Sequence, residues 1–85
     1  MQRTIRYSHT AARQIDALGS TVRELVEAKL AQLAINPSAL ANQIKRLKGT
    51  EALRLRVGDY RIIFTDDGLV LDIQKVGSRG AIYRE

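Results

Sequence analysis

Eighty-five residues leave room for one domain, and a makeup of 45% hydrophobic and 27% charged residues is the ordinary globular balance. Without cysteine there is no disulfide framework, thiolate metal site or cysteine nucleophile, and the single histidine, His9, excludes a His–His metal pair and most histidine-based triads. Fourteen Lys and Arg against nine acids give a net charge of +5, which points to an anionic partner, nucleic acid or an acidic protein, over a merely solvated basic surface.

The chain opens with strand alternation. Arg3, Ile5 and Tyr7 fall on one side of a short strand, with Thr4, Arg6 and Ser8 on the other. From Ser8 the period becomes helical. Ala11, Ala12, Ile15 and Leu18 recur on one face, Ser8 or Thr10 caps the start, and Gly19 is the expected stop. Thr21 to Glu24 reads as a capping box opening a second helix whose apolar stripe is Val22, Leu25, Val26, Leu30 and Leu33. Asn36-Pro37 ends it. The short link predicts an antiparallel helix hairpin. Ser38 to Gly49 reads as another short helix, with Lys45, Arg46 and Lys48 as a basic cluster at its end.

The remainder reads as a β-meander. Leu53 to Val57 alternates, and Gly58-Asp59 is a two-residue loop with glycine first, as a type II′ turn requires. Tyr60 to Thr65 is the next strand, Asp67-Gly68 the next turn, and Leu69 to Val76 the last strand. The first turn pairs Val57 with Tyr60, Leu55 with Ile62, Leu53 with Phe64, Arg56 with Arg61 and Arg54 with Ile63. The second pairs Phe64 with Leu71, Ile62 with Ile73, Tyr60 with Lys75, Ile63 with Asp72 and Arg61 with Gln74. One face is then apolar and awaits the helices, while the other carries Arg54, Arg56 and Arg61. The fold class is α+β: an N-terminal strand and a helix hairpin packed on an antiparallel meander, as one domain over residues 1–85. No apolar run approaches the roughly 20 residues of a membrane span. The first residues, Met1-Gln2-Arg3-Thr4, open no apolar signal region, so the cytoplasm is the expected compartment.

Like charges directly opposite one another cost a sheet roughly 0.2–1 kcal/mol. Arg56 facing Arg61 therefore suggests an anion site, unless Asp59 or Asp72 neutralises the pair. Gly77-Ser78-Arg79-Gly80 turns Arg79 toward the same edge, and Ala81 to Arg84 runs on as a strand or arm that brings Tyr83 within reach. Lys45, Arg46, Lys48, Lys75 and Arg56 are the candidate RNA-binding residues around this cluster. Neither a metal-ligand set, nor a glycine-rich phosphate loop, nor a redox motif accompanies them, so no metal and no cofactor are expected. RNA carries its own nucleophile, the 2′-OH, and arginines stabilise the charge that develops on a phosphate under attack. Arginine is a poor general base. Tyr83 is the group left to take a proton, or else a ring on which a base stacks.

Three segments carry a resemblance to the RelE/ParE superfamily of bacterial toxins from type II toxin–antitoxin pairs. These are Leu18 to Glu24, Arg54 to Phe64, and Val76 to Arg84. The resemblance covers essentially the whole chain. On its RelE-like branch it implies messenger RNA cleavage on the ribosome and inhibition by a cognate antitoxin protein. It implies that Arg61 contacts the scissile phosphate, that Arg79 stabilises the transition state, and that Tyr83 stacks on substrate or shares in proton transfer. Arg54 stands where the family has a lysine proposed to activate the 2′-OH. Ala52 replaces a second lysine, and Ser78 replaces a histidine or basic residue. The alternative branch, ParE-like, implies inhibition of DNA gyrase with no nuclease activity. The Arg79–Tyr83 spacing favours the RelE-like branch.

Overall fold

In the computed structural model, which describes residues 2–82, the elements run β1 (Thr4–Tyr7), α1 (His9–Asp16), α2 (Ser20–Ile35), a 3-10 helix (Pro37–Gln43), β2 (Ile44–Arg46), β3 (Leu53–Val57), β4 (Tyr60–Asp66) and β5 (Val70–Ser78). The five strands form one sheet in the order β1-β5-β4-β3-β2. Neighbours are antiparallel except β1, which runs parallel to β5. An α+β fold with helices on a mixed sheet is therefore observed. No helix among the described residues is long and apolar enough to cross a membrane.

The core lies between the helices and one sheet face. Val26, Leu30 and Leu33 of α2 and Ala11 and Ile15 of α1 meet Leu55, Ile62, Phe64, Leu71, Ile73 and Val76 of the sheet, all buried. Side chains like these stabilise the fold by about 1.5–3 kcal/mol each on full burial. Leu25, expected in this stripe, is 48% exposed instead. The inner face of α2 is already filled by Val26, Leu30 and Leu33, and Leu25 falls one step round the helix from it.

The helix boundaries differ from the sequence reading. Ser8 caps α1, its hydroxyl accepting from the Ala11 N–H at 2.9 Å. The helix ends at Asp16 with Ala17 as cap, so Gly19 is not its stop. Thr21 is not the cap of α2. That helix starts at Ser20 from an extended Gly19, with no side-chain cap. Starting early gains the backbone bond from Arg23 N–H to the Gly19 carbonyl at 2.9 Å. The link between the helices is then only residues 17–19.

Residues 38–49 are not a single short helix. The 3-10 turn gives way at Ile44 to β2, whose Ile44 faces Leu55 and whose Lys45 faces Arg54. Gly49, at φ 78°, reverses the chain between β2 and β3, and Leu47 N–H bonds the Ala52 carbonyl across the turn.

Between β3 and β4 all five expected pairs are present, with Gly58 at φ 59° in the turn. The β4–β5 register differs. Asp66 faces Leu71, Thr65 faces Asp72, and Phe64 faces Ile73. Asp67 is the reason. Its carboxylate accepts from Leu69 N–H (2.9 Å) and Val70 N–H (2.7 Å), which moves the reversal onto Gly68 and Leu69. A β-bulge then shifts the ladder again, so that Ile63 faces Lys75, Ile62 faces Val76 and Arg61 faces Gly77. Lys75 is thus not opposite Tyr60, nor Gln74 opposite Arg61, nor Asp72 opposite Ile63.

Candidate nucleic-acid interface

The sheet face turned away from the helices collects the cations. Cross-strand partners share a face, so Lys45, Arg54, Ile63 and Lys75 form one row across β2, β3, β4 and β5, and Arg56, Arg61 and Gly77 form the next. Arg54, Arg56, Arg61, Lys45 and Lys75 are brought together as candidates on one face. Arg46, opposite Leu53, points to the other side at the sheet edge, and Lys48 lies in the turn after β2. Neither joins the row, because the strand that replaces the expected helix alternates its side chains between faces. Tyr83 lies outside the described residues.

The β3–β4 turn organises the two central arginines. The Nη1 group of Arg61 donates to the carbonyls of Gly58 and Tyr60, both at 3.0 Å. The next carbonyl, Asp59, accepts the backbone N–H of Arg79 at 2.8 Å. Adjacent carbonyls of one turn therefore hold the Arg61 guanidinium and the Arg79 backbone. A guanidinium fixed through one nitrogen keeps its Nε and Nη2 donors for a bidentate anion.

Residues 79–82 form a turn rather than a strand or arm, closed by Ile82 N–H on the Ser78 carbonyl at 3.1 Å. Ile82 is buried and stands over Gly77, where an added Cβ would lie 3.5 Å from its own Cβ. A side chain at 77 would begin in ordinary van der Waals contact with Ile82. Ile63, buried on this same face, adds an apolar floor outside the main core.

Charge balance decides between an anion site and a neutralised surface. The four ion pairs among the described residues take Arg3 to Asp66, Arg6 to Asp72, and Arg23 to Asp16 and Glu27. Asp72 is thus occupied by Arg6, and Asp59 makes no ion pair among the described residues. Arg56, Arg61 and Arg79 likewise form none there, so their repulsion is uncompensated by the chain described. Arg56 also borders a groove of about 490 Å³ whose other wall is Leu25 and Lys29 of α2. Reading the sequence as regular alternation missed the bulge and with it the placement of Lys75. The signal was there: Gln74 and Lys75 put two polar residues between the core residues Ile73 and Val76.

A family model for the ParE toxin of type II toxin–antitoxin systems matches residues 5–83. The chain belongs to this toxin family, part of the RelE/ParE superfamily. Its similarity within the superfamily includes the mRNA interferase toxin RelE of Escherichia coli, 29% identical over 75 residues, 86% of this chain and 79% of that protein. RelE in the intact E. coli RelBE toxin–antitoxin complex superposes with a TM-score of 0.71 at 28% identity, covering 89% of this chain and 95% of that one. The RelBE2 toxin–antitoxin complex of Mycobacterium tuberculosis shares the fold, with a TM-score of 0.77 at 24% identity over 93% of this chain and 100% of that one.

Proposed function

We propose that this chain is the toxin of a type II toxin–antitoxin pair and an endoribonuclease acting on messenger RNA. The observation that carries the reading is the group Arg56, Arg61 and Arg79, which forms no ion pair among the described residues, with Arg61 and Arg79 held on adjacent carbonyls of the β3–β4 turn. The similarity to RelE, itself an mRNA interferase, agrees with it.

The chemistry follows from the residues. The 2′-OH of one ribose gives its proton to Tyr83 or, where Tyr83 stacks, to water; its oxygen attacks the adjacent phosphorus, the bond to the 5′-oxygen of the next nucleotide breaks, and that oxygen takes a proton from solvent. The products are a 2′,3′-cyclic phosphate, or the 3′-phosphate that water forms from it, and a 5′-OH. Charge grows on the phosphoryl oxygens during attack, and Arg61 and Arg79 are the residues assigned to it. Arg54, permanently charged, stabilises the departing proton's oxygen rather than removing the proton. Tyr83 is assigned either the proton or a stacking base. Lys45, Lys75 and Arg56 track the flanking phosphates, with Arg46 and Lys48 extending the basic edge. The reaction is proposed to need no metal.

The partners in this reading are messenger RNA on the ribosome and a cognate antitoxin. The antitoxin segment is apolar on one side and acidic on the other. It covers Arg61 and Arg79, or displaces the closing residues with Tyr83. The exposed Leu25 beside Lys29 and Arg56 offers a matching seat.

Primer extension on messenger RNA, with and without ribosomes, tests the activity. Cleavage should persist in a chelator and stop when the 2′-OH at the cut site is replaced by hydrogen. Cleavage that survives that replacement, or that requires magnesium at the chemical step, contradicts the mechanism. Intact messenger RNA with inhibited gyrase replaces this reading with the ParE-like one.

A further inference from the structure

β1 leaves the sheet at Tyr7, where the chain turns into α1, so beyond Ile73 no strand among the described residues backs β5 on that side. Side chains meet its backbone there instead. The Ser8 hydroxyl, which accepts from Ala11 N–H, donates to the Gln74 carbonyl at 2.8 Å. The Gln14 side-chain oxygen accepts the Val76 N–H at 2.6 Å. The first bond falls on the bulge itself, where Gln74 is the residue inserted between the Ile73–Phe64 and Lys75–Ile63 pairs, and the second falls on Val76, the first residue past Lys75.

The bulge decides which residues reach the arginine face. In a straight strand Lys75 would follow Ile73 onto the core face, and Val76 would point outward. One extra residue reverses this. Val76 is buried, Lys75 joins the row of Lys45, Arg54 and Ile63, and Gly77 comes opposite Arg61. Burial of Val76 favours the same phase, but a bulge carries unpaired backbone groups that need partners. On this edge Ser8 bonds the carbonyl of the bulge residue Gln74, and Gln14 anchors the strand just beyond it at Val76.

We infer that Gln14, on the helix side of the sheet, is a positioning residue for the RNA face: with Ser8 it holds the β5 bulge that turns Lys75 toward substrate. The inference rests on the reading of that face as an RNA site. Gln14 touches no substrate and acts through Lys75.

The test compares Gln14→Leu, similar in size without an acceptor, with Gln14→Glu, which keeps one. The full chain is titrated with a single-stranded RNA carrying 2′-O-methyl riboses, which cannot be attacked, across a salt series. Losing one phosphate contact reduces the slope of log affinity against log salt by about 0.7 for a single strand. Lys75→Ala should show that reduction, Gln14→Leu a part of it, and Gln14→Glu the wild-type slope. In the Lys75→Ala background Gln14→Leu should change the slope no further. An unchanged slope in Gln14→Leu, or an equal reduction with and without Lys75, overturns the inference. Where Gln14→Leu does not fold, Gln14→Asn, too short to reach Val76, carries the same comparison. Arg61→Ala separates the two levels. If it weakens binding while Gln14→Leu does not, only the positioning role is lost. If neither Arg61→Ala nor Lys75→Ala weakens binding, the RNA reading falls and this inference with it.

Discussion

Replacing Arg61 by alanine should separate chemistry from folding. The side chain gives the fold two hydrogen bonds, from Nη1 to the carbonyls of Gly58 and Tyr60. A bond from a charged donor contributes roughly 1.5–3 kcal/mol where water is excluded. The turn is exposed, so water replaces part of that on removal. The substitution also removes the repulsion with Arg56 directly opposite, which returns about 0.2–1 kcal/mol. The two offset in part. Each 1 kcal/mol of net change moves the melting midpoint by roughly 4–8 °C in a domain of this size. Cleavage is a different matter, because removing one donor from a developing oxyanion typically costs about 100–1000-fold. The assay is single-turnover cleavage of ribosome-bound messenger RNA, with thermal unfolding of the same preparation. A folded variant that loses less than about tenfold, or 1.4 kcal/mol of barrier, would refute the assignment of Arg61 to the transition state.

Arg79→Ala should lose cleavage by a similar factor while its backbone bond to Asp59 keeps the closing turn in place; an unfolded or fully active variant would contradict that separation. Tyr83→Phe keeps the ring and removes the hydroxyl, so near-normal single-turnover rates assign the residue to stacking, and a loss of 100-fold or more, about 2.7 kcal/mol, assigns it the proton. Leu25→Glu should weaken antitoxin binding measured by calorimetry and leave the melting midpoint unchanged, since Leu25 is exposed on α2 beside Lys29 and Arg56. The bonds from Val70 and Leu69 N–H lower the pKa of Asp67 below 3.8. A depressed carboxylate stabilises the fold above its unfolded value and ceases to as pH falls through its folded one. The Leu69 and Val70 amide shifts should therefore titrate with a midpoint below 3.8, and a midpoint at or above that value would show that these bonds do not favour the ionised form.

The legible parts of the fold were those with two agreeing signals. Gly58-Asp59 sat between alternating runs, so turn chemistry and periodicity together gave a register that the structure reproduces pair for pair. The Asp-Gly after β4 had only the turn signal. There the two aspartate side chains decided the reversal by bonding the backbone ahead of them, Asp66 to Gly68 and Asp67 to Leu69 and Val70. Local side-chain bonds of this kind leave no period to read. β2 was illegible because three residues are too few for alternation to show, and its existence depends on β3 lying beside it. The arginine face was readable as a set, through Arg56 opposite Arg61. Its supports were not, since the turn carbonyls that hold Arg61 and Arg79 are backbone groups, and Gln14 reaches Val76 across 62 positions of sequence.

The parallel pairing of β1 with β5 also sets when the molecule can exist. Ser8 and Gln74 are joined by a hydrogen bond across 66 positions, and the first strand has β5 as its only neighbour in the sheet. Loop closure over such a span must precede any gain from the contacts it brings. During synthesis, β1, both helices and β2 emerge first and wait, with half of the core missing, until β5 has left the ribosome. The cation rows need β5 for Lys75 and Gly77, and Arg79 comes later still. A nascent chain therefore carries no assembled cation face until β5 and the turn after it have emerged, and the face then forms in one step with the fold.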